Sequence, residues 1–467
     1  MISFSYTDLI IILLFFAAVL TIGFLAGRKG VQSSDDYLLN GRKLGLFLFI
    51  LTNVSTWYGG ILGVGEFTYR YGLLSWFTQG LPYYIFAILF AYLFAGKIRE
   101  ASLFTIPDKL ESVYGKNAAL GGAIIIFILI SPAPYLLMMG NIISLVFNLD
   151  IIYALIISLI LSTAYLFKGG YRSDVYTDAF EFFIMFIGFI LILAVTIISA
   201  GDMNFLKNNL PPDHLTITGS SSVTYIIVWF LIALWTFTDP GFHQRCYAAK
   251  NAKVAKRGIL ISIVLWAFFD FLTTGTGLYA RAILPNLQNP VLAFPYLAER
   301  ILGPGLKGIF YAALIATVLS TLNSFLFLSA TTFSRDLIYR LSSKRSESKL
   351  KIHTIYGLLI SGTLAILLAS SIPSVIELWY AIGSLCIPGV ILLVISAYYP
   401  KYMIDKKWAL VELSAGVLVS TIWFFMRSYF TYSGIKDVEP MIAGLTGALV
   451  IHILALIVKK QRATSVS

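Results

Sequence analysis

Long apolar runs recur along the whole chain, and they leave few folds open. A helix of about 20 apolar residues crosses the hydrocarbon core of a bilayer. Backbone in lipid must satisfy its own hydrogen bonds, so only helices and closed barrels span. Reading runs of about 18–28 residues as helices predicts roughly thirteen spans, at 6–27, 45–71, 74–96, 119–147, 150–167, 177–200, 223–245, 255–281, 307–334, 353–371, 375–398, 408–428 and 439–458. Composition agrees: 58% of residues are hydrophobic and 12% charged, against about a quarter charged in a soluble chain. The expected fold class is an all-α polytopic membrane protein held in a lipid bilayer.

Charge placement predicts orientation. Arg28 and Lys29 follow the first run and no Lys or Arg precedes it, unlike a secretory signal, so it reads as a retained span. Basic residues then crowd alternate loops: Lys97 and Arg99, Lys168 and Arg172, Arg245 to Arg257, Arg335 to Lys351 (with Lys344 and Arg345), Lys401 to Lys407, and the tail. The other loops hold few, such as Lys207, Arg300 and Lys436. The positive-inside rule thus places the N-terminus outside and the C-terminus in the cytoplasm of a plasma or inner membrane. The net charge of +11 belongs to these loops and does not point to nucleic acid. Cys246 and Cys386 form no disulfide framework, and the four His are dispersed. No nucleotide-binding GxxxxGK[ST], metal cluster or nucleophile–base pair is evident. We therefore expect no enzyme activity, no cofactor and no obligate protein partner. The segment 99–116 predicts a short helix with Thr105 as N-cap and Pro107 in its first turn. Another is expected at Pro290–Leu302, and the tail after Val458 reads as a short irregular end.

Span 2 does not read as a regular helix. Its centre, Leu51–Gly65, carries Thr52, Asn53, Ser55 and Thr56, then Gly59, Gly60, Gly63 and Gly65. Each glycine costs a helix about 1 kcal/mol against alanine. One reading is a broken helix whose freed carbonyls bind an ion and a solute near the midplane. The other is a glycine face packed closely on a neighbouring helix. Span 7 is interrupted too, at Trp235–Gly241, where Pro240 removes a backbone donor. Interruptions five spans apart predict inverted repeats. The expected division is 1–44, a peripheral first span and cytoplasmic loop; 45–200, the first repeat of spans 2–6; 201–222, an external loop; 223–398, the second repeat of spans 7–11; and 399–467, spans 12–13 with a short tail.

Span 9 places Thr317, Ser320 and Thr321 on one face, extended by Ser324. Hydroxyls opposite unwound carbonyls suit a small hard cation held weakly enough to leave. The alternative is that they bond back to their own helix or join two helices. Carboxylates in spans are costly and face protein or water. Asp178 and Glu181 read as the cytoplasmic start of span 6, either drawing a cation inward or sitting at an interfacial helix N-terminus. Asp239 could touch solute or lock the second break. Asp270 could bind a proton or solute, or form half of a structural pair. Glu66 and Glu377 read as structural.

Five stretches carry a resemblance: YLLNGRKLG at 37–45, TIPDKLESVYG at 105–115, GGYRSDVYTDAFE at 169–181, QRCYAAKNAKVAKRG at 244–258 and AALIATVLSTLNS at 312–324. In this order and on this many spans, the chain resembles the sodium:solute symporter family over about residues 5–460. The resemblance implies a LeuT-like 5+5 inverted repeat with discontinuous helices and transport driven by sodium. It implies sodium ligands at the carbonyls of Leu51, Val54 and Thr317 and the hydroxyls of Ser320 and Thr321, with Asp178 on the sodium release path. The family often has Ala at the Thr317 position, which a carbonyl ligand tolerates. The solute cavity would be bounded by Asn53, Trp57, Tyr58, Thr78, Trp235, Asp239 and Tyr380. A carboxylate that sugar-carrying members place before the span 3 Trp is Ser75 here, and a Gln of their first broken helix falls on Tyr58. A hexose is therefore less expected than an amino acid, a carboxylate or a similar small solute. The expected function is sodium-coupled import by alternating access. The rivals are proton coupling through Asp270 or Asp239, and a transporter-like membrane sensor.

Overall fold

The structure is a computed structural model. It describes residues 2–29, 33–219, 221–342, 349–372, 375–430 and 438–466. Lys344, Arg345 and Lys436 lie outside these residues, as does the side chain of Glu377.

Among the described residues, twelve helices are long and apolar enough to cross a membrane. They are Tyr6–Ala26 (span 1), Leu74–Leu93 (span 3), Lys116–Phe147 (span 4), Ile151–Gly169 (span 5), Tyr171–Ala200 (span 6), Val223–Ala248 (span 7), Ala252–Ile283 (span 8), Leu306–Tyr339 (span 9), Leu350–Ser371 (span 10), Leu378–Ala397 (span 11), Lys406–Tyr429 (span 12) and Pro440–Arg462 (span 13). Span 2 is missing from that set because it breaks into Leu46–Ser55 and Ile61–Tyr71, each too short to cross alone. These twelve, with span 2 broken into two short halves, account for the thirteen apolar runs.

Span 9 is the central post, with 89% of its apolar window buried, against 28% for spans 1, 12 and 13. The first half of span 2 packs between spans 6 and 8 and against span 9, so the break faces span 9. Span 1 is tied in by Asp8. Its carboxylate completes a capping box with Ser5 and accepts the Gly305 and Gly308 N–H groups at 2.8 Å, anchoring the start of span 9. At the other end, Leu44 N–H donates to Ala248 O (3.1 Å) and Lys250 N–H to Leu44 O (2.9 Å). This bridge joins the entry to span 2 with the exit of span 7, and so sets the two interrupted spans side by side.

The loop helices form where expected. Ile106–Tyr114 is capped by Thr105, whose hydroxyl accepts the Asp108 N–H. Ala293–Ile301 follows a 3-10 turn at Pro290–Leu292. Arg340 joins Asp108, Glu111 and Asp336 at 2.9–3.1 Å, fastening the first of these helices to the end of span 9. Glu66 pairs with Arg70 one turn later, at 2.9 Å. Two expectations are corrected. The tail after Val458 is not irregular: the last helix runs Pro440–Val466, held by Lys459 Nζ on Met403 O and Arg462 on Asp405. Span 6 begins at Tyr171, after Gly170 in a left-handed conformation (φ +56°). Asp178 and Glu181 are thus two turns inside the helix and fully buried, rather than at an interfacial start.

Candidate solute and cation site

The glycines of span 2 both permit the break and pack closely. Between Ser55 and Ile61 the chain leaves the helix. A Cβ on Gly59 would lie 2.2 Å from Thr321 Cβ, and one on Gly60 would lie 2.2 Å from the Trp379 ring. The two sequence readings therefore describe one arrangement: glycine lets the chain unwind where span 9 and Trp379 press against it.

Span 9 meets the break through its hydroxyl stripe. Ser320 Oγ donates to Ser55 O at 3.0 Å and lies 3.2 Å from Thr317 O; Thr321 Oγ1 donates to Thr56 O at 2.8 Å. The Thr317 hydroxyl bonds back to Ala313 O, leaving its carbonyl toward Ser320. The carbonyls under the stripe are thus those of Ser55 and Thr56, further along than Leu51 and Val54. Val54 O accepts the Trp57 N–H at 3.2 Å where the helix ends.

Beneath the break lies a buried polar cluster. Arg245 donates to the hydroxyls of Thr52 (3.2 Å), Thr56 (2.7 Å) and Ser324 (3.4 Å) and to Gly241 O (3.1 Å), and stands 3.9 Å from Asp178. Thr52 also donates to Asp178, and Ser324 to Asp174 at 2.7 Å. Asp174, Asp178 and Glu181, at i, i+4 and i+7, are all fully buried. The sequence reading assigned Arg245 to a cytoplasmic loop, but it sits in the second half of span 7, Pro240–Ala248. Its position four residues past Gly241 was the available signal, because the helix resumes there. Asp174 and Thr52 were missed for want of any pattern linking spans distant in sequence.

The second break is a 3-10 turn, Ala233–Phe237, after which Asp239 caps the resumed helix. Its Oδ1 accepts the Gly241 (2.6 Å) and Phe242 (3.2 Å) N–H groups. Pro240 fits because the first turn needs no intrahelical donor there. Between the two breaks lies a cavity of about 230 Å³. Five expected residues line it: Trp57, Tyr58, Trp235, Asp239 and Tyr380. Asn53 and Thr78 do not. Asn53 is buried in the intact first half of span 2, and the Thr78 hydroxyl turns back to Leu74 O at 2.8 Å. Asp270, read from the sequence as a proton or solute site or half of a structural pair, also lines it, as do Trp76, Gln79, Tyr83 and Trp379, which sequence reasoning did not place there.

The sodium:solute symporter family model matches residues 37–416. The chain belongs to that family. Among curated relatives of this symporter-family protein, the high-affinity choline transporter 1 of Caenorhabditis elegans is 25% identical over 421 residues, covering 81% of this chain and 71% of that one. The sodium/proline symporter of Staphylococcus aureus (strain JH9) is 23% identical over 495 aligned positions, covering 98% and 94%. Among solved structures, a Na+-coupled sialic acid symporter in a substrate-bound outward-open state superposes with a TM-score of 0.82 at 18% identity, covering 97% of each chain. A nucleobase-cation-symport-1 family transporter in a closed conformation gives 0.60 at 12% identity, covering 90% and 93%. The fold is the LeuT-like one, with discontinuous helices in spans 2 and 7.

Proposed function

We propose that this protein is a sodium-coupled symporter that imports a small organic solute by alternating access. The observation carrying this reading is the seating of the Ser320 and Thr321 hydroxyls on backbone carbonyls at the break of span 2. Five neutral oxygens are proposed as sodium ligands: the carbonyls of Leu51, Val54 and Thr317 and the hydroxyls of Ser320 and Thr321. Those hydroxyls donate to Ser55 O and Thr56 O, which leaves their oxygen lone pairs to face an ion held at the break. Order at the break then shapes the cavity above it, which is how one ligand prepares the site of the other. Asp178, one hydroxyl away through Thr52, is the proposed exit. One charge crossing a 100 mV potential supplies about 2.3 kcal/mol, roughly fifty-fold accumulation of solute per ion.

The repeats proposed are 45–200 and 223–398, and the proposed orientation has the N-terminus outside and the C-terminus in the cytoplasm. The relatives are named for choline and for proline, both small nitrogenous molecules of a size the cavity suits.

The test is thermal unfolding of the purified protein in detergent, in NaCl against KCl at equal ionic strength. Sodium raises the midpoint of the wild-type protein and the rise is lost in Ser320→Ala. A Ser320→Ala protein with an undiminished sodium shift overturns the assignment. A shift that follows pH instead, absent in Asp270→Asn, replaces sodium by proton coupling.

A further inference from the structure

Five of the chain's eight tryptophans, Trp57, Trp76, Trp229, Trp235 and Trp379, face the one cavity described between the breaks. Aromatic neighbours brace three of them, Trp57, Trp229 and Trp379. Trp57 meets Tyr83 edge-on with centroids 5.0 Å apart, and Tyr135 lies 6.2 Å from Trp379. Two carboxylates, Asp239 and Asp270, share the wall, and among the described residues no Lys, Arg or His lines it. Arg245, buried below the break, is engaged by three hydroxyls, a carbonyl and Asp178, and it flanks Asp239 from behind: a Cβ on Gly241 would lie 2.9 Å from Asp239 Oδ1 and 3.0 Å from the Arg245 guanidinium.

Both carboxylates are held in place before any solute arrives. The two N–H groups on Asp239 Oδ1 belong to the half-helix it caps, leaving Oδ2 outside those bonds. Asp270 accepts the Tyr84 hydroxyl, and Gly80 makes room for it: a Cβ there would stand 2.7 Å from Asp270 Oδ2.

We propose that the cavity selects organic cations, a quaternary ammonium or a protonated amine, held over tryptophan faces and balanced by Asp239 and Asp270. This deepens the symport reading and rests on it for the direction of transport. Ring faces attract a desolvated cation, tryptophan most strongly. An anionic solute would instead lose its hydration between two carboxylates with no side-chain cation to replace it. A hexose would stack on the same rings and bond to the hydroxyls of the wall, but it brings no positive charge to balance the two carboxylates. An apolar solute would likewise bring no charge to balance the two carboxylates.

The experiment titrates tetramethylammonium chloride, sodium acetate, glucose and L-proline onto the purified protein at constant NaCl. Intrinsic tryptophan fluorescence and the unfolding midpoint are both read. Tetramethylammonium should act saturably on both signals and acetate on neither. Its half-saturating concentration should rise about tenfold or more in Asp270→Asn and in Trp379→Leu. Trp379→Phe, which keeps an aromatic ring, should lie between; it serves if the leucine variant does not fold. A response to acetate or glucose without one to tetramethylammonium overturns the proposal, as does a stronger response to L-proline. So does a tetramethylammonium response unchanged in both Asp270→Asn and Trp379→Phe. A sodium shift that persists without any tetramethylammonium response sinks the cation assignment and leaves sodium coupling standing. A tetramethylammonium response without a sodium shift does the reverse.

Discussion

Replacing Gly59 by alanine is the sharpest probe of the junction between span 2 and span 9. The added Cβ would fall 2.2 Å from Thr321 Cβ and 2.4 Å from its Oγ1. Carbon atoms settle at about 3.5–4.0 Å, so break and stripe must part by more than roughly 1 Å. Thr321 Oγ1 now sits 2.8 Å from Thr56 O, and that displacement takes it beyond hydrogen-bond range. Overpacking of this kind costs about 1–3 kcal/mol. If the same contact shapes the sodium site, the loss appears as a sodium half-saturation raised about 5- to 150-fold. The control is Gly65→Ala. Its Cβ would meet the Phe294 ring at 2.9 Å, overpacking span 2 at a place remote from the stripe. Sodium titrations of thermal stability or solute uptake read both variants. Gly59→Ala should shift the sodium dependence and Gly65→Ala should not. Equal destabilisation with unshifted sodium curves would refute the idea that this contact builds the ion site.

Three further outcomes are expected. Arg245→Gln strands buried Asp178 and should cost about 3–5 kcal/mol, seen as a lowered unfolding midpoint that Asp178→Asn partly restores; a variant as stable as the wild type would show that Arg245 does not balance it. Asp239→Ala should lower stability by about 1 kcal/mol while Asp239→Asn, still able to cap, should not; equal losses would remove the capping role. His214, in the loop before span 7, places Nε2 3.1 Å from Tyr69 O, and burial, with Arg281 nearby, holds its pKa below the ordinary histidine value. The folded loop thus prefers the neutral ring. Its docking is fully present above about pH 6.5 and weakens as pH falls through the depressed value, so the protection of the amides at 213–216, relative to their intrinsic exchange at each pH, should fall in acid, and His214→Asn should abolish that dependence.

The spans and both breaks were legible because lipid imposes length and apolarity, and because glycine and proline act locally. The hydroxyl stripe was legible for the same reason: Thr317, Ser320 and Thr321 follow the period of a single helix. What escaped was everything decided between spans. Asn53 and Thr78 have the chemistry of cavity residues, but one lies in an unbroken turn and the other bonds to its own helix. Arg245 looked like a loop cation because its neighbours in sequence, Lys250 and Lys253, are. The Leu44–Ala248 hydrogen bond draws the end of span 7 against the start of span 2, and there Arg245 faces inward onto Thr52, Thr56 and Ser324. The wall residues Trp76 and Trp379 come from two spans with no shared motif.

The close pairings at the first break bear on how this protein can change over generations. Gly59 faces Thr321, Gly60 faces Trp379 and Gly65 faces Phe294, each with no space for one added carbon. Neither member of a pair can drift alone. A descendant that enlarges the small partner must trim the large one, and one that loses Trp379 frees Gly60 to become alanine. The lining should therefore diversify by coupled exchanges. A new solute preference would be reached through a few two-residue steps, each crossing an intermediate that fits neither arrangement.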